Sequence, residues 1–490
     1  MIAPLVTGAT LFAAFAGLTR AQSLLSPVNT EFPAAATDGL PAFSVRVSNN
    51  TAAACNSSTP GLSGYIDTSD DDSHVFFWLF ESRCDFSQDP VILWMSGGPG
   101  ASSAGFGNLM ELGPCRVTLD GSSTLENPYG WNSNATVLFV DQPIPVGFSY
   151  GKTMPSGLVE SSKMIDRFLR QFFMAFPDLA ARDFYIAGES YGGSRVPALA
   201  ATIAGRQAQS DAQDAVAIRY PGQQNPLAAD KPDKIKLRGI KIGNGLVRQP
   251  VQSPAALEAA CSGRDAIFNS SQCLEWEPRS PWCEQNLIQC ETRGWLSEEC
   301  KHAQELCEEM SSLVTGDMGR NPFDWRRDCK GDPLTCYPEL ASVSKYLDEE
   351  HIKHALGVPA ERPFNGVSNE VYDHWEAIGD LWKSSDHYVN YLLNNDYHVL
   401  IYVGDKDWCC HAAGMRQLVN HGLMWKGQPL FRFRELSPWY SGVKVAGRRK
   451  TFQGLTYAEI HGAGHLVPYD VPEIALDLVN SWILGTLPWQ

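Results

Sequence analysis

Short apolar runs alternate with amphipathic and polar stretches along much of this chain. Runs rich in apolar and β-branched residues, bounded by turn formers, predict strands at 64–68, 74–81, 91–95, 136–141, 184–187, 237–242, 399–403 and 457–460. Apolar residues recur every three or four positions over 160–176, which predicts a helix, and a second helix is predicted at 472–484. This alternation predicts an α/β protein with a mostly parallel central sheet flanked by helices.

The pattern changes between about residues 250 and 340. Eight of the thirteen cysteines fall between Cys261 and Cys336. We interpret this part as a disulfide-rich, mainly helical insertion rather than a metal site, because no Cys-x-x-Cys pair occurs. The expected organisation is a signal peptide (1–21), an extended N-terminal segment (22–60), a core in two parts (61–250 and 341–490) and the insertion between those parts (251–340).

The first 21 residues are apolar and end in small residues, which is typical of a signal peptide cleaved near Ala21. A membrane anchor is less favoured, because Gly, Pro and Thr interrupt a run that is short for a full span. Thirteen cysteines fit an oxidising compartment, and N-glycosylation sequons occur at Asn49, Asn56, Asn134 and Asn269. We expect a secreted glycoprotein, with a vacuolar or lysosome-like lumen as the alternative.

The overall charge narrows the choice of partners. A net charge of −16 and a pI near 5.1 argue against nucleic acid, whose binding requires a basic surface. No later apolar segment reaches membrane-spanning length, and the residues after Trp482 carry no lipid-anchor signal. We expect neither a nucleic-acid partner nor a membrane anchor.

The strongest chemical signal is the pentapeptide Gly188-Glu189-Ser190-Tyr191-Gly192, which directly follows an apolar strand-like run. A G-x-S-x-G sequence between a strand and a helix is the nucleophile elbow of α/β-hydrolases, in which a tight turn presents the serine above the sheet. Ser190 is therefore the candidate nucleophile, and the fold class is expected to be the α/β-hydrolase fold. The same pentapeptide also occurs in ordinary turns, so the motif needs support from partner residues.

A nucleophilic serine requires a base and a group that orients the base. In α/β-hydrolases the acid and then the histidine follow the serine along the chain. The strand at 399–403 runs into a loop with Asp405 and Asp407, and the strand at 457–460 runs into a glycine-rich loop with His461 and His465. Both loops are expected at the carboxyl edge of the sheet, but the pattern does not choose within either pair.

An oxyanion hole requires two backbone N–H groups near the nucleophile. Tyr191, the residue after the serine, is expected to supply one of them. The loop Trp94-Met95-Ser96-Gly97-Gly98-Pro99-Gly100 follows an earlier strand and is expected to supply the other. A simple Gly/Pro turn is the alternative interpretation of this loop.

Together these residues closely resemble the serine carboxypeptidases, secreted or vacuolar α/β-hydrolases that remove C-terminal residues from peptides. The resemblance covers most of the chain in the family's order. It rests on WMSGGPGASSAGFGNLMELGP (94–114), DQPIPVGFSY (141–150), GESYGGSRVPAL (188–199), GDKD (404–407) and HGAGHLVPYDVP (461–472). The resemblance implies that Asp407 and His465 complete the triad and that Gly98 and Tyr191 supply the oxyanion amides.

The resemblance also implies a binding site for the C-terminal carboxylate of the substrate. Its residues would be Trp94, Ser96, Gly97, Glu111 and Glu189. Two carboxyls in contact share a proton, since both cannot ionise cheaply at short range, and a protonated pair donates a hydrogen bond to a carboxylate. Peptide cleavage is therefore expected at acidic pH and should weaken toward neutrality. Ser96 stands where the family usually has Asn, which predicts altered rather than lost recognition.

Pocket residues and cysteine pairs follow from the same resemblance. It implies that Tyr337, Cys410 and Leu466 line the substrate pocket, with Cys410 as the family's free thiol. It implies the disulfides Cys261–Cys273, Cys283–Cys307, Cys290–Cys300 and Cys329–Cys336. The partners of Cys55, Cys84, Cys115 and Cys409 stay open.

The function expected from this sequence is a serine-type carboxypeptidase that acts on peptide or protein C-termini through an acyl-enzyme. No metal or organic cofactor is implied. An esterase or acyltransferase on the same scaffold is the enzymatic alternative; the intact Glu111–Glu189 pair argues for peptide substrates, and Ser96 slightly weakens that argument. A catalytically inactive scaffold or protective protein is the non-enzymatic alternative, and the candidate triad argues against it.

Overall fold

A twelve-stranded sheet dominates the structure, which is a computed structural model describing residues 25–34, 39–219, 234–262, 266–329 and 336–485. The expected signal peptide lies outside these residues. The strands are β1 (Glu31–Phe32), β2 (Phe43–Ser48), β3 (Gly61–Thr68), β4 (Ser73–Phe80), β5 (Val91–Met95), β6 (Cys115–Val117), β7 (Thr124–Glu126), β8 (Thr136–Val140), β9 (Phe184–Ser190), β10 (Leu237–Gly245), β11 (Arg320–Asn321), β12 (Asp324–Asp328), β13 (His398–Gly404), β14 (Ser437–Ser441), β15 (Lys444–Phe452) and β16 (Leu455–Ile460).

The sheet order is β1-β2-β3-β4-β8-β5-β9-β10-β13-β16-β15-β14. The six strands from β8 to β16 pair in parallel, as the alternation of strands and helices predicted. Antiparallel strands extend both edges, with β1 to β4 on one side and the β14–β15 hairpin on the other. The segment 22–60, predicted only as extended, therefore contributes β1 and β2 to the sheet. Two further two-stranded sheets pair β6 with β7 and β11 with β12.

Helices cover the sheet and form most of the insertion. They are α1 (Leu158–Ala175), α2 (Pro177–Ala180), α3 (Gly192–Arg219), α4 (Gln249–Gln252), α5 (Ala256–Cys261), α6 (Ser270–Trp276), α7 (Arg279–Arg293), α8 (Glu298–Ser312), α9 (Pro338–Asp348), α10 (Glu350–Leu356), α11 (Asn369–Ala377), α12 (Asp386–Asn394), α13 (Ala412–Gln417), α14 (Gln428–Phe431), α15 (Val467–Asp470) and α16 (Pro472–Ile483). Short 3₁₀ segments occupy Thr51–Ala53, Trp131–Ser133 and Ser253–Ala255, and π-helical segments occupy Ser103–Leu112, Leu313–Asp317 and Leu418–Gly422. Among the described residues, none of these helices combines the length and apolarity that a membrane crossing requires.

The central strands are buried on both faces because helices cover each side. In β9, Ile186 points into one core and Ala187 into the other, as the two-residue period of a strand requires. Helix α1 buries its apolar stripe, including Phe168 and Phe172, in the first core. Helix α16 packs Trp482 into the second core. Burial of each large side chain contributes about 1.5–3 kcal/mol, so the central strands form a rigid platform for the loops at their ends.

Disulfides connect the helices of the insertion. Cys261–Cys273 joins α5 to α6, while Cys283–Cys307 and Cys290–Cys300 join α7 to α8. Cys329 is bonded to Cys336. These are the four pairs that the resemblance implied. The structure adds Cys55–Cys115, which connects the N-terminal part to β6, and leaves Cys84, Cys409 and Cys410 outside disulfides.

The four sequon asparagines lie at or near the surface of the molecule. Asn49, Asn56 and Asn269 are exposed, and Asn134 is half-buried. The Oδ1 atom of Asn269 accepts hydrogen bonds from two amides at the start of α6, so this side chain also caps a helix. Glycosylation at these positions stays a prediction.

Candidate active site

Ser190 ends strand β9 and lies in the left-handed region of backbone conformation, with φ at 57°. A non-glycine residue is uncommon there and costs on the order of 1–3 kcal/mol, so the surrounding packing must hold it. A Cβ atom added at Gly97 would lie 2.5 Å from Cβ of Ser190. Glycine at position 97 therefore lets the loop after β5 lie directly against the serine. Helix α3 begins two residues later, as the elbow motif predicted.

Asp407 and His465 lie on neighbouring loops, after the parallel strands β13 and β16. Both are buried, and His465 Nδ1 lies 2.7 Å from Asp407 Oδ2. Because an ionised carboxylate only accepts hydrogen bonds, Nδ1 carries the proton of this bond. Burial disfavours a charged imidazole, but the charge of Asp407 and its hydrogen bond outweigh burial and raise the pKa of His465.

The second acid and the second histidine of these loops form their own pair. His461 Nδ1 lies 3.2 Å from Asp405 Oδ2, and this histidine is exposed. Asp405 also accepts a hydrogen bond of 2.8 Å from the amide of Gly462, so it shapes the histidine loop. Burial thus distinguishes the two histidines that the sequence pattern left open, because His465 is buried with Asp407 whereas His461 is exposed.

Asn244 is a site residue that the sequence reasoning missed. It lies near the end of β10 with φ at 41°, and its Nδ2 donates to Asp407 Oδ2 at 2.7 Å. Its Oδ1 accepts from the amide of Gly404 at 3.2 Å, so one side chain holds both the acid and the loop before it. An Asn between glycines after an apolar strand, Gly243-Asn244-Gly245, was the available signal.

The glycine-rich loop after β5 and the start of α3 meet at one cleft. Gly98 adopts φ of 105°, which favours glycine, and Gly98 and Tyr191 both line a cleft of about 230 Å³. The exposed residues of this cleft include Glu308 and Cys409. Gly98 and Tyr191, the two residues expected to supply the oxyanion amides, thus line the same cleft.

Arg195 is a second residue that the sequence reasoning missed. Its guanidinium is buried in α3 and donates to the carbonyls of Ser96 and Gln142, each at 3.3 Å, and to that of Pro99. It also lies 5.5 Å from the ring centroid of Tyr191. Burial lowers the pKa of Arg195 to about 10. One side chain therefore contacts the backbone on both sides of Gly98 and the ring beside the other candidate donor.

Glu111 and Glu189 are both buried, and their carboxyl groups lie close enough to influence each other's ionisation. Glu111 lies in the segment Ser103–Leu112, and Glu189 directly precedes Ser190 in β9. Burial raises the pKa of Glu111 to about 8, and burial together with the nearby Glu111 raises the pKa of Glu189 well above its ordinary value. The pair therefore holds a proton through the acidic and neutral range, because two buried carboxylates cannot ionise together.

Trp94 lies in β5, and Ser96 and Gly97 follow in the loop after it, where a Cβ atom added at Gly97 would lie 2.9 Å from the carbonyl oxygen of Glu189. The Trp94 indole donates to Ser96 Oγ at 3.1 Å, and the amide of Ser96 donates to Ser103 Oγ at 3.1 Å. Since Ser96 Oγ accepts from the indole, its own hydrogen stays available to a ligand. Ser96 thus keeps a donor at the position where the family usually has Asn.

The three expected pocket residues differ in exposure. Tyr337 is buried against Phe323 and Tyr469, while Leu466 is half-buried beside His465. Cys410 is buried, and its Sγ lies 4.0 Å from Sγ of Cys409. Three potential metal-ligand atoms, one each from Asp407, Cys410 and His465, lie within 4.8 Å of one another. The Asp407 carboxylate and the His465 imidazole are, however, already hydrogen-bonded to each other.

Comparison with known proteins identifies the family of this chain. The family model described as serine carboxypeptidase matches residues 54–485, and the chain belongs to this family. It is 36% identical over 430 residues to carboxypeptidase Y of Saccharomyces cerevisiae, covering 86% of this chain and 75% of the relative. It is 37% identical over 426 residues to carboxypeptidase Y of Schizosaccharomyces pombe, covering 86% of this chain but only 41% of that longer relative.

A solved structure supports the fold. The crystal structure of a prohormone-processing carboxypeptidase from Saccharomyces cerevisiae matches with a TM-score of 0.72 at 21% identity, covering 94% of this chain and 97% of the other. The fold is the α/β-hydrolase fold with a disulfide-rich helical insertion, as predicted. Family membership makes the protein a serine-type carboxypeptidase, a hydrolase that releases C-terminal amino acids.

Proposed function

We propose that this protein removes C-terminal residues from peptides at acidic pH, with Ser190 as nucleophile, His465 as base and Asp407 as its orienting acid. The observation that carries the proposal is the pair of buried glutamates next to the elbow serine, Glu111 and Glu189, whose pKa values are both raised by burial. A generic hydrolase does not need such a pair, whereas an exopeptidase must recognise a free carboxylate.

The first step is acylation. Ser190 Oγ attacks the carbonyl carbon of the last peptide bond while His465 accepts the hydroxyl proton and then gives it to the departing amine. Asp407 stabilises the imidazolium through the 2.7 Å hydrogen bond, and Asn244 holds Asp407 in place. Water then attacks the acyl-enzyme while His465 accepts its proton, and His465 returns a proton to Ser190 Oγ as the shortened peptide leaves.

Charge develops on the carbonyl oxygen during both steps. The amides of Gly98 and Tyr191 are the proposed donors to this oxygen. Their common position on one cleft supports the assignment. Tyr337, Cys410 and Leu466 are proposed to contact substrate side chains, and no cofactor takes part in these steps.

The substrate carboxylate would bind at Glu111, Glu189, Ser96, Trp94 and Gly97. The protonated glutamate pair donates one hydrogen bond, and the hydroxyl of Ser96 donates another. Loss of the shared proton would place negative charge opposite the carboxylate and expel it. Peptide cleavage should therefore fall on the alkaline side as the glutamate pair loses this proton.

The proposed location is outside the cytosol, either secreted or in a vacuolar lumen. The five disulfides among the described residues support an oxidising compartment. One relative at 34% identity is described as a vacuolar serine-type carboxypeptidase of Saccharomyces cerevisiae.

The deciding experiment compares purified protein with Ser190→Ala on N-blocked dipeptides and on matched esters from acid to neutral pH. We expect free C-terminal amino acids from the unmodified protein and a loss of about 10⁴-fold or more in Ser190→Ala. Ester cleavage with no peptide cleavage at any pH would favour the esterase or acyltransferase. Absence of both activities would favour a scaffold.

A further inference from the structure

Two adjacent thiols lie at the edge of the proposed active site. Cys409 and Cys410 follow Asp407 closely, stand outside the disulfides of the described chain, and bring their Sγ atoms within 4.0 Å of each other. Cys409 is exposed and lines the same cleft as Gly98 and Tyr191. Cys410 is buried behind it. The pair thus has one exposed residue on the cleft and one buried residue behind it.

The two thiols differ in reactivity because of their contacts. The S–H of Cys410 donates to the sulfur of Cys409, and this bond, helped by the nearby His465, lowers the pKa of the Cys409 thiol. Burial and the neighbouring sulfur raise the pKa of the Cys410 thiol. Because the thiolate is the nucleophile, Cys409 reacts first and Cys410 keeps its proton until a partner is attached.

We propose that Cys409 and Cys410 form a thiol–disulfide modification site in the substrate cleft, which takes low-molecular-weight disulfides and closes into a disulfide between the two adjacent residues. The Cys409 thiolate attacks the small disulfide, forms a mixed disulfide and expels one thiolate. Cys410 then loses its proton and attacks Cys409 Sγ, which breaks the mixed disulfide and expels the second thiolate. The cysteine pair is oxidised by two electrons, and the small disulfide is reduced to two thiols.

This modification would be reversible and would inhibit the enzyme; the inhibition, but not the modification, rests on the proposed function. The Cα atoms of adjacent residues are about 3.8 Å apart, below the range of about 4.4–6.8 Å in ordinary disulfides, so the bond would be strained and easily reduced. The mixed disulfide would occupy the cleft beside Gly98 and Tyr191. Closure of the bond would pull Cys410 away from its place beside Asp407.

The test uses the full-length protein in a Cys84→Ser background, which removes the other exposed free thiol. The protein is incubated with glutathione disulfide, quenched, alkylated and analysed by mass spectrometry. We expect a product that is lighter by two hydrogen atoms and protected from alkylation at both cysteines. Peptide hydrolysis should fall about tenfold or more and should return after brief treatment with a mild reductant.

Two further variants separate the steps. Cys410→Ser should stop at the mixed disulfide, with one glutathione attached at Cys409, and Cys409→Ser should not react. Each variant is compared with its own starting rate. The proposal is overturned if both cysteines stay alkylatable, or if Cys410→Ser carries no glutathione. The mass measurement does not depend on peptidase activity, so failure of the proposed function would be seen separately as an inactive starting protein.

Discussion

Glu189 is the residue that ties the elbow serine to a particular substrate. Replacing it with Gln removes one ionisable carboxyl from the buried pair but keeps a hydrogen-bond donor. In the unmodified protein, kcat/KM for an N-blocked dipeptide should fall as the pH rises toward about 8, where Glu111 loses its proton. In Glu189→Gln, kcat/KM should decline about tenfold less at the alkaline end than it does in the unmodified protein. The reason is that less negative charge faces the substrate carboxylate.

Two controls sharpen this pH experiment. An ester without a free carboxylate should show no such decline in either protein, since it has no charge to be repelled. Glu111→Gln, the other member of the pair, should behave like Glu189→Gln. An unchanged alkaline side for the dipeptide in both variants would remove the proposed role of the glutamate pair.

Arg195 acts at the same scale, as a positioning residue for the proposed oxyanion hole. Arg195→Met would leave the carbonyls of Ser96, Pro99 and Gln142 without their donor. We expect kcat to fall about 10- to 100-fold with KM changed little, since the loss of one oxyanion donor costs roughly 10²–10³ in kcat. Arg195→Lys, which keeps a charge but cannot span three carbonyls, should lie in between.

Two binding measurements distinguish the positioning role of Arg195 from a merely structural role. If Arg195 positions the oxyanion hole, Arg195→Met should bind a peptide aldehyde, which forms a tetrahedral adduct, more weakly in proportion to its loss of kcat/KM. Its binding of the product should stay unchanged. Arg206→Met is the matched control, because Arg206 lies in the same helix α3 but pairs with Asp166. Equal losses of kcat in Arg195→Met and Arg206→Met would contradict the positioning role.

At the scale of elements, the two disulfides between α7 and α8 hold the insertion together. The helices bury few large side chains, and the small core beside them contains Leu287 of α7 and Trp295 of the connection between α7 and α8. Replacing Cys283 and Cys307 by Ser opens a loop of 24 residues and should destabilise the protein by about 3 kcal/mol. Thermal unfolding measures this loss, and Cys84→Ser should show none. Equal melting temperatures would mean that helix packing alone suffices.

Elements differ in how well the chain pattern predicted them. The buried strands β5, β8 and β13 were predicted within a residue, because each is a short apolar run bounded by turn formers, whereas β9 extends three residues beyond its predicted end. The β14–β15 hairpin was not predicted. Its exposed Tyr440, Val443 and Val445 mix with charged residues, and no clear alternation marks it as a strand pair. Edge strands depend on their neighbours more than on their own pattern.

At the scale of the whole molecule, the buried glutamate pair connects function to stability. Glu111 has a pKa of about 8 in the folded protein against 4.5 as its ordinary value, so the folded state binds more protons between these values. Its contribution to stability is complete below about pH 4.5 and is lost as the pH rises to about 8. The free energy of unfolding should therefore fall over this range, relative to Glu111→Gln, by on the order of 2–4 kcal/mol.

The measurement is thermal or urea unfolding of both proteins at several pH values. Only the difference between them is compared, because other buried groups such as His411, with its pKa lowered to about 4 by burial, also titrate on unfolding. Glu298→Gln, an exposed residue of α8, is the control and should follow the unmodified protein. A constant difference between the unmodified protein and Glu111→Gln would mean that Glu111 is not protonated on folding.

The sequence by itself determined the family, the fold class and the set of candidate residues, because the elbow and the strand-end loops are local patterns that few other structures share. The family resemblance already implied the pairing of Asp407 with His465, whereas only the tertiary structure decided how the candidate residues are buried and which other residues join them. The tertiary structure put Asp407 with His465 in the buried site and Asp405 with His461 at the surface, and it brought Asn244 and Arg195 to the site from other elements. These contacts join residues far apart in the chain, and burial and hydrogen-bond geometry exist only once the sheet has formed.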